Sequence, residues 1–169
     1  DIFIIAVPTP FHEGYVPNID YIITATKMIA PFIKENNIVI LESTSPVGTT
    51  EKMEQTLKAE GIDTSKMYIS HCPERVLPGN IIKELVENDR IVGGINHEST
   101  TETIKFYKEF VQGEIFATDA NTAEMAKLTE NSFRDVNIAF ANELSILCDK
   151  LNIDSLELNA SLSVADVSI

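Results

Sequence analysis

The feature that most constrains this chain is the stretch from Thr118 to Leu151, TDANTAEMAKLTENSFRDVNIAFANELSILCDKL, more than thirty residues without a glycine or a proline. With no residue that costs a helix dearly, it is predicted to form one helix, roughly 45–50 Å long at 1.5 Å per residue. Asp119 or Asn121 can act as its N-cap, and Glu124, three residues after Asn121, offers the second half of a capping box. Ala123, Ala126, Phe133, Val136, Phe140, Leu144, Leu147 and Leu151 recur at three- and four-residue steps and form one apolar stripe, widened by Ile138 and Ala139. One small domain cannot cover so long a helix from a single side, so the stripe implies a domain junction or a dimer seam.

Composition narrows the class of protein. With 169 residues and 44% apolar content, one domain, or a domain and part of another, is the natural count. Thirteen basic against 26 acidic residues give a formal charge of −13, which opposes general binding to nucleic acid or to an anionic membrane. No apolar run is long enough to span a bilayer. Cys72 and Cys148 make no disulfide framework, and no CxxC or His-rich spacing suggests a metal, so a reducing cytoplasm is the expected compartment.

Taken in order, the chain opens without Met on DIFIIAV, an apolar run that reads as a fully buried parallel strand. A helix is expected from Ile19 to Glu35 with Ile22, Ile23, Met28, Ile29, Phe32 and Ile33 inward, then a strand over Asn37–Ser43 and a helix over Thr49–Ala59 ended by Glu60-Gly61. MYISH and RIVGGI read as further strands, with the segment between them unassigned. A helix over Glu98–Val111 and a short strand, EIFAT, precede the long helix. This alternation argues for an α/β fold, a Rossmann-like parallel sheet with right-handed crossover helices, followed by a helical segment. The division falls at 118/119, and the final residues 159–169 lose the preceding pattern.

In open α/β sheets ligands bind outside the carboxyl ends of the strands, where loops converge and helix N-termini point their free N–H groups. Val7-Pro8-Thr9-Pro10, Ser43-Thr44-Ser45-Pro46 and Cys72-Pro73-Glu74-Arg75 each end a strand, which suggests one crevice. Each also has a plainer explanation: turn chemistry for the first, a strand end and helix cap for the second, a surface ion pair for Glu74 and Arg75. Lys127 and Asn131 share a helix face one turn apart; they are either a solvated lysine among Glu124 and Glu130 with its neighbour, or two donors able to hold an oxygen that becomes anionic. Arg134 extends that face. The two cysteines read as small packing residues.

These residues resemble the nucleotide-sugar 6-dehydrogenases that oxidise UDP-glucose and its relatives. DIFIIAVPTP is similar to that family's strand and V-x-T-P turn, ESTSPVGTT to its S-T-x-P-x-G-T segment, CPERVLPG to its P-E motif, and AEMAKLTENSFRDVNIAFANEL to its central helix with a K-L-x-x-N core. The last two most resemble the branch acting on UDP-N-acetylmannosamine and similar sugars, although Pro78 stands where the UDP-glucose branch has a second Glu.

The resemblance implies oxidation of the sugar C6 alcohol to a carboxylate with two NAD molecules in turn, through a Cys-bound aldehyde and a thioester. It implies that Val7, Thr9, Pro10, Ser43 and Thr44 lie along NAD, with Thr44 near the reacting centre. Glu74 would act as general base, Lys127 and Asn131 would stabilise oxyanions, and Arg75, Lys127 and Asn131 would contact the substrate; Arg134 is added as a substrate contact from its place on the same helix face, not from the resemblance. The long helix would be a homodimer seam. No G-x-G-x-x-G and no Gly-rich segment with the family's catalytic Cys occurs, so the chain is expected to be a fragment, inactive alone: the second half of an NAD-binding domain over 1–118 and a truncated central helical domain over 119–169. A hydroxyacid-type dehydrogenase and a non-catalytic dimerisation or nucleotide-binding piece are the competing readings.

Overall fold

The computed structural model describes residues 1–76 and 79–162, with side chains through residue 158. Pro78 and residues 163–169, on which two of the sequence expectations bear, lie outside the described residues. The chain divides into two compact units, Asp1–Leu128 and Thr129–Ile169.

The first unit runs β1 (Ile2–Ile5), α1 (Asp20–Ile29), β2 (Ile38–Leu41), α2 (Thr49–Ala59), β3 (Tyr68–His71), α3 (Ile81–Glu87), β4 (Arg90–Gly94), α4 (His97–Tyr107) and β5 (Ile115–Asp119). The first turns of α5 (Ala120–Leu151) belong to it as well. The remainder of α5 and α6 (Ser155–Leu162) form the second unit.

The strands stand in chain order in one sheet. β1, β2 and β3 are parallel, with Ile5 opposite Leu41 and Leu41 opposite His71. β4 reverses: it pairs antiparallel with β3, Ser70 opposite Gly94, and β5 follows β4 in parallel. The alternation of strand and helix predicted a parallel sheet, and the sheet is mostly parallel, the one exception being the pairing of β3 with β4. β4 starts at the edge where β3 ends, and α3, of seven residues, does not serve as a crossover helix.

The pleat divides the core into two layers. Ile5, Val39, Leu41 and Ile69 pack with Ile22 of α1 and with Met53 and Leu57 of α2. Ile40, Cys72 and Val92 pack on the other face with Tyr107 and Val111. Each fully buried Leu or Ile contributes about 1.5–3 kcal/mol through removal from water. α5 begins hard against the sheet, because a Cβ at Gly93 would meet the Asp119 carbonyl and the Ala123 methyl.

Three sequence expectations need correction. α1 stops at Ile29 and passes into a single 3₁₀ turn, Ala30–Phe32, because Pro31 lacks the N–H that a continuing helix requires; Met28 and Phe32 are exposed rather than inward. β1 is an edge strand in which Ile2 and Ile4 are exposed and only Ile5 is buried. α4 ends at Tyr107, four residues before the expected Val111.

Behind the ends of β2 and β3 lies a buried polar cluster. The Arg90 guanidinium sits 4.7 Å over the Tyr107 ring, with Nη1 4.0 Å from Glu42 Oε1 and 3.9 Å from Cys72 Sγ. Nη2 donates to the Leu85 carbonyl at 3.2 Å, and the Tyr107 hydroxyl donates to Glu42 Oε1 at 2.7 Å. Burial pushes both the Cys72 thiol and the Tyr107 phenol above their ordinary values. Arg90→Leu leaves Glu42 without its cation, and breaking a buried pair from one side costs about 3 kcal/mol. Chemical denaturation of the full-length protein measures this, and a loss under about 1 kcal/mol would show the pair to be idle.

His71 is fully buried, and neither ring nitrogen has a hydrogen-bond partner among the described residues. Burial lowers its pKa from 6.5 to about 4, with the nearby Leu41 backbone opposing weakly. The folded state therefore refuses a proton that the unfolded chain accepts, so His71 supports stability above pH 6.5 and that support is lost as pH falls through about 4. The full effect is roughly 3 kcal/mol. Urea titrations between pH 7 and pH 4 should show this acid sensitivity reduced in His71→Leu; equal slopes in both proteins would exclude His71 as its source.

Candidate active site

The parallel registration of β1 to β3 brings their carboxyl ends to one edge, and hydrogen bonds join the three segments that follow. The Val7 N–H donates to Ser43 Oγ at 2.7 Å, and the Ser43 hydroxyl donates to the Val7 carbonyl at 2.8 Å. The Thr9 hydroxyl donates to the Thr44 carbonyl at 2.8 Å. On the other side, Cys72 N–H donates to the Leu41 carbonyl at 3.0 Å and Glu74 N–H to the Glu42 carbonyl at 3.4 Å. The Glu74 carboxylate accepts from the Val76 N–H, which turns the loop after β3.

The residues picked from sequence thus divide by task. Thr9 and Ser43 spend their hydroxyls on neighbouring backbone, whereas the Thr44 hydroxyl has no protein partner among the described residues. Pro10 is exposed and Val7 half-buried. Arg75, half-buried, reaches the Asp89 carbonyl at 3.5 Å. Cys72 is fully buried with its thiol held protonated by burial, which suits a packing residue and not a nucleophile.

After β2 the chain turns through Gly48, whose φ of 92° is accessible to glycine at little cost, and enters α2. The N-terminus of α2 is capped from a distance. Glu124 Oε2 accepts from the Gly48 N–H at 2.6 Å, and Oε1 accepts from the Thr50 N–H at 2.8 Å and the Thr50 hydroxyl at 2.6 Å. Glu124 is fully buried; burial raises its pKa, and the bonds from Thr50 and Gly48 oppose that rise.

The expected capping box at the start of α5 is therefore absent. Asp119 is the N-cap, its carboxylate accepting from the Thr122 N–H at 2.9 Å and the Thr122 hydroxyl at 2.7 Å, and these bonds lower its pKa. Glu124 is drawn away to a helix end 74 residues earlier in the chain. Sequence reasoning missed this role, and the Arg90, Glu42 and Tyr107 cluster with it, because neither has a local spacing to reveal it.

Lys127, one turn beyond Glu124, is half-buried in the first unit. In the second unit Asn131 is half-buried and Arg134 exposed. Within that unit Phe133, Val136, Phe140, Leu147 and Leu151 are exposed, so the predicted stripe is uncovered over its second half.

The edge formed by β1 to β3 fits one side of a dinucleotide: the Thr44 hydroxyl lacks a protein partner, and Ser45 Oγ is buried without one. Val7, Thr9, Pro10, Ser43 and Thr44 would hold it there. Among the described residues no group of three or more His, Cys, Asp and Glu could hold a metal, and no helix is long and apolar enough to cross a membrane.

Residues 1–111 match the NAD binding domain of the UDP-glucose/GDP-mannose dehydrogenase family, and residues 121–165 match its central domain. A UDP-N-acetyl-D-mannosamine dehydrogenase of Campylobacter jejuni is 60% identical over 94% of this chain, and an NDP-N-acetyl-D-galactosaminuronic acid dehydrogenase of Ralstonia nicotianae is 50% identical over 98%. The solved UDP-D-ManNAc dehydrogenase of Pyrococcus horikoshii superimposes with a TM-score of 0.94 at 43% identity, covering 99% of this chain. The chain spans 41% of the length of each of these three relatives. With the strand-end motifs, the long helix and both domain matches in agreement, the chain belongs to the UDP-glucose/GDP-mannose dehydrogenase family.

Proposed function

We propose that the full-length protein carrying this chain is an NAD-dependent UDP-sugar 6-dehydrogenase that oxidises the C6 alcohol of UDP-N-acetylmannosamine, or a related UDP-N-acetylhexosamine, to the uronate in two hydride transfers. In this reading residues 1–118 are the second half of the NAD-binding domain and residues 119–169 begin the central helical domain. The observation that carries it is the joining of Val7, Thr9, Ser43 and Thr44 at one sheet edge, beside the loop that bears Glu74. The identity to UDP-N-acetyl-D-mannosamine dehydrogenases supports the choice of sugar. The family assignment speaks against the hydroxyacid-type alternative.

Bound NAD supplies the hydride acceptor. Thr44, its hydroxyl unspent on protein, lies along the cofactor near the reacting carbon. Lys127 and Asn131, one turn apart on one helix, donate to the C6 oxygen as it gains negative charge. Glu74 takes the proton of the hydrolytic water. Arg75 and Arg134 contact the anionic part of the substrate, and the uncovered stripe of α5 forms a homodimer seam. The cytoplasm, where nucleotide sugars and NAD are available, is the proposed compartment.

Assayed at full length with UDP-N-acetylmannosamine, UDP-N-acetylglucosamine and UDP-glucose in turn, the protein should form two NADH per N-acetylated sugar, and Lys127→Ala should lower the rate on the order of 100- to 1,000-fold. Absence of NADH with all three sugars would overturn the reading. Arg134→Ala should raise the apparent KM for the sugar with a smaller change in kcat. An unchanged KM would remove Arg134 from the substrate site.

A further inference from the structure

We propose that Glu124 is a positioning residue of this site, acting through Lys127; the inference rests on the dehydrogenase reading above. Its carboxylate is fully buried and takes three hydrogen bonds from two residues of one helix end, Gly48 and Thr50. Gly48 follows Ser43-Thr44-Ser45-Pro46 after one residue, Val47, and Thr44 is itself tied to Thr9 across the strand ends. Glu124 and Lys127 are three residues apart on α5, so their side chains leave the same helix face. One carboxylate thus bolts the turn of α5 that carries Lys127 to the loop that carries Thr44.

The chemistry of the bolt favours fixed geometry over mere adhesion. Both carboxylate oxygens are engaged, one by Gly48 and the other by Thr50, and a second pairing would leave buried N–H groups unmet. Thr50 engages its oxygen twice, through backbone and hydroxyl, which also fixes the rotation of the carboxylate plane. Asn121, one turn before Glu124, adds a bond from its amide to Glu51 on α2 at 3.1 Å, on the exposed side of the same contact. A Gln at position 124 keeps the shape but presents an amide N–H toward one backbone N–H, so the α5 turn must shift. Displacing a donor by about 1 Å from its reacting atom can cost on the order of 100-fold in rate.

The test is a double-mutant cycle in the full-length enzyme with Glu124→Gln, Lys127→Ala and both together, reading kcat and KM for NAD and sugar. If Glu124 acts through Lys127, Glu124→Gln lowers kcat about 10- to 100-fold with each KM changed less than about 3-fold, and adds little further loss in the Lys127→Ala background. Thr50→Val, which removes one of the three donors, lowers kcat in the same sense by a smaller factor and serves if Glu124→Gln fails to fold. A kcat within about 2-fold of the parent in a folded Glu124→Gln or Thr50→Val protein, or losses that multiply independently in the double mutant, overturns the positioning role while leaving the dehydrogenase reading intact. An unimpaired Lys127→Ala enzyme overturns the assignment of Lys127 and this inference with it.

Discussion

Glu124 carries a carboxylate into the interior of the first unit, and the shape of the edge at the ends of β2 and α2 depends on what it meets there. A buried carboxylate without partners is costly enough to neutralise itself by taking up a proton. Here the free N–H groups at the start of α2 meet it, and each charge-assisted bond of this kind contributes roughly 1.5–3 kcal/mol. The exchange serves both elements: α2 gains a cap that its own Gly48 cannot supply, and the first turns of α5 gain an anchor on the sheet. Gly93 allows the approach by leaving room for Asp119 and Ala123.

The reversal of β4 has its own consequence. By starting at the edge where β3 ends, β4 delivers Arg90 to the space behind Glu42 and Cys72, where a parallel strand would have placed its last residues instead. The guanidinium, the Tyr107 ring and the Glu42 carboxylate then form a polar cluster within an otherwise apolar layer. Glu42 and Cys72 immediately precede the Ser43-Thr44 and Pro73-Glu74 segments, so the cluster lies at the point where both loops leave the sheet.

Much of this was legible in the residues. The span of α5 followed from the lack of any helix breaker between Thr118 and Leu151, and the structure places the helix at Ala120–Leu151. α2 and β3 fell where Gly61 and the run MYISH put them. The strand-end motifs were visible because Pro and Gly mark turns, and turns after parallel strands gather at one edge. What periodicity could not reveal was the direction of β4, because an apolar run reads the same for a strand of either direction.

The sequence by itself determined most of the elements, their order and the family, though not α3 or α6, because helix breakers, apolar period and turn motifs act over a few residues and can be read locally. Tertiary structure alone decided which polar groups meet: Glu124 with Gly48 and Thr50, Arg90 with Glu42 and Tyr107, Thr9 with Thr44. The physical reason is that a buried polar group must find its partner wherever the packed chain offers one, and the partners offered here lie tens of residues away in sequence.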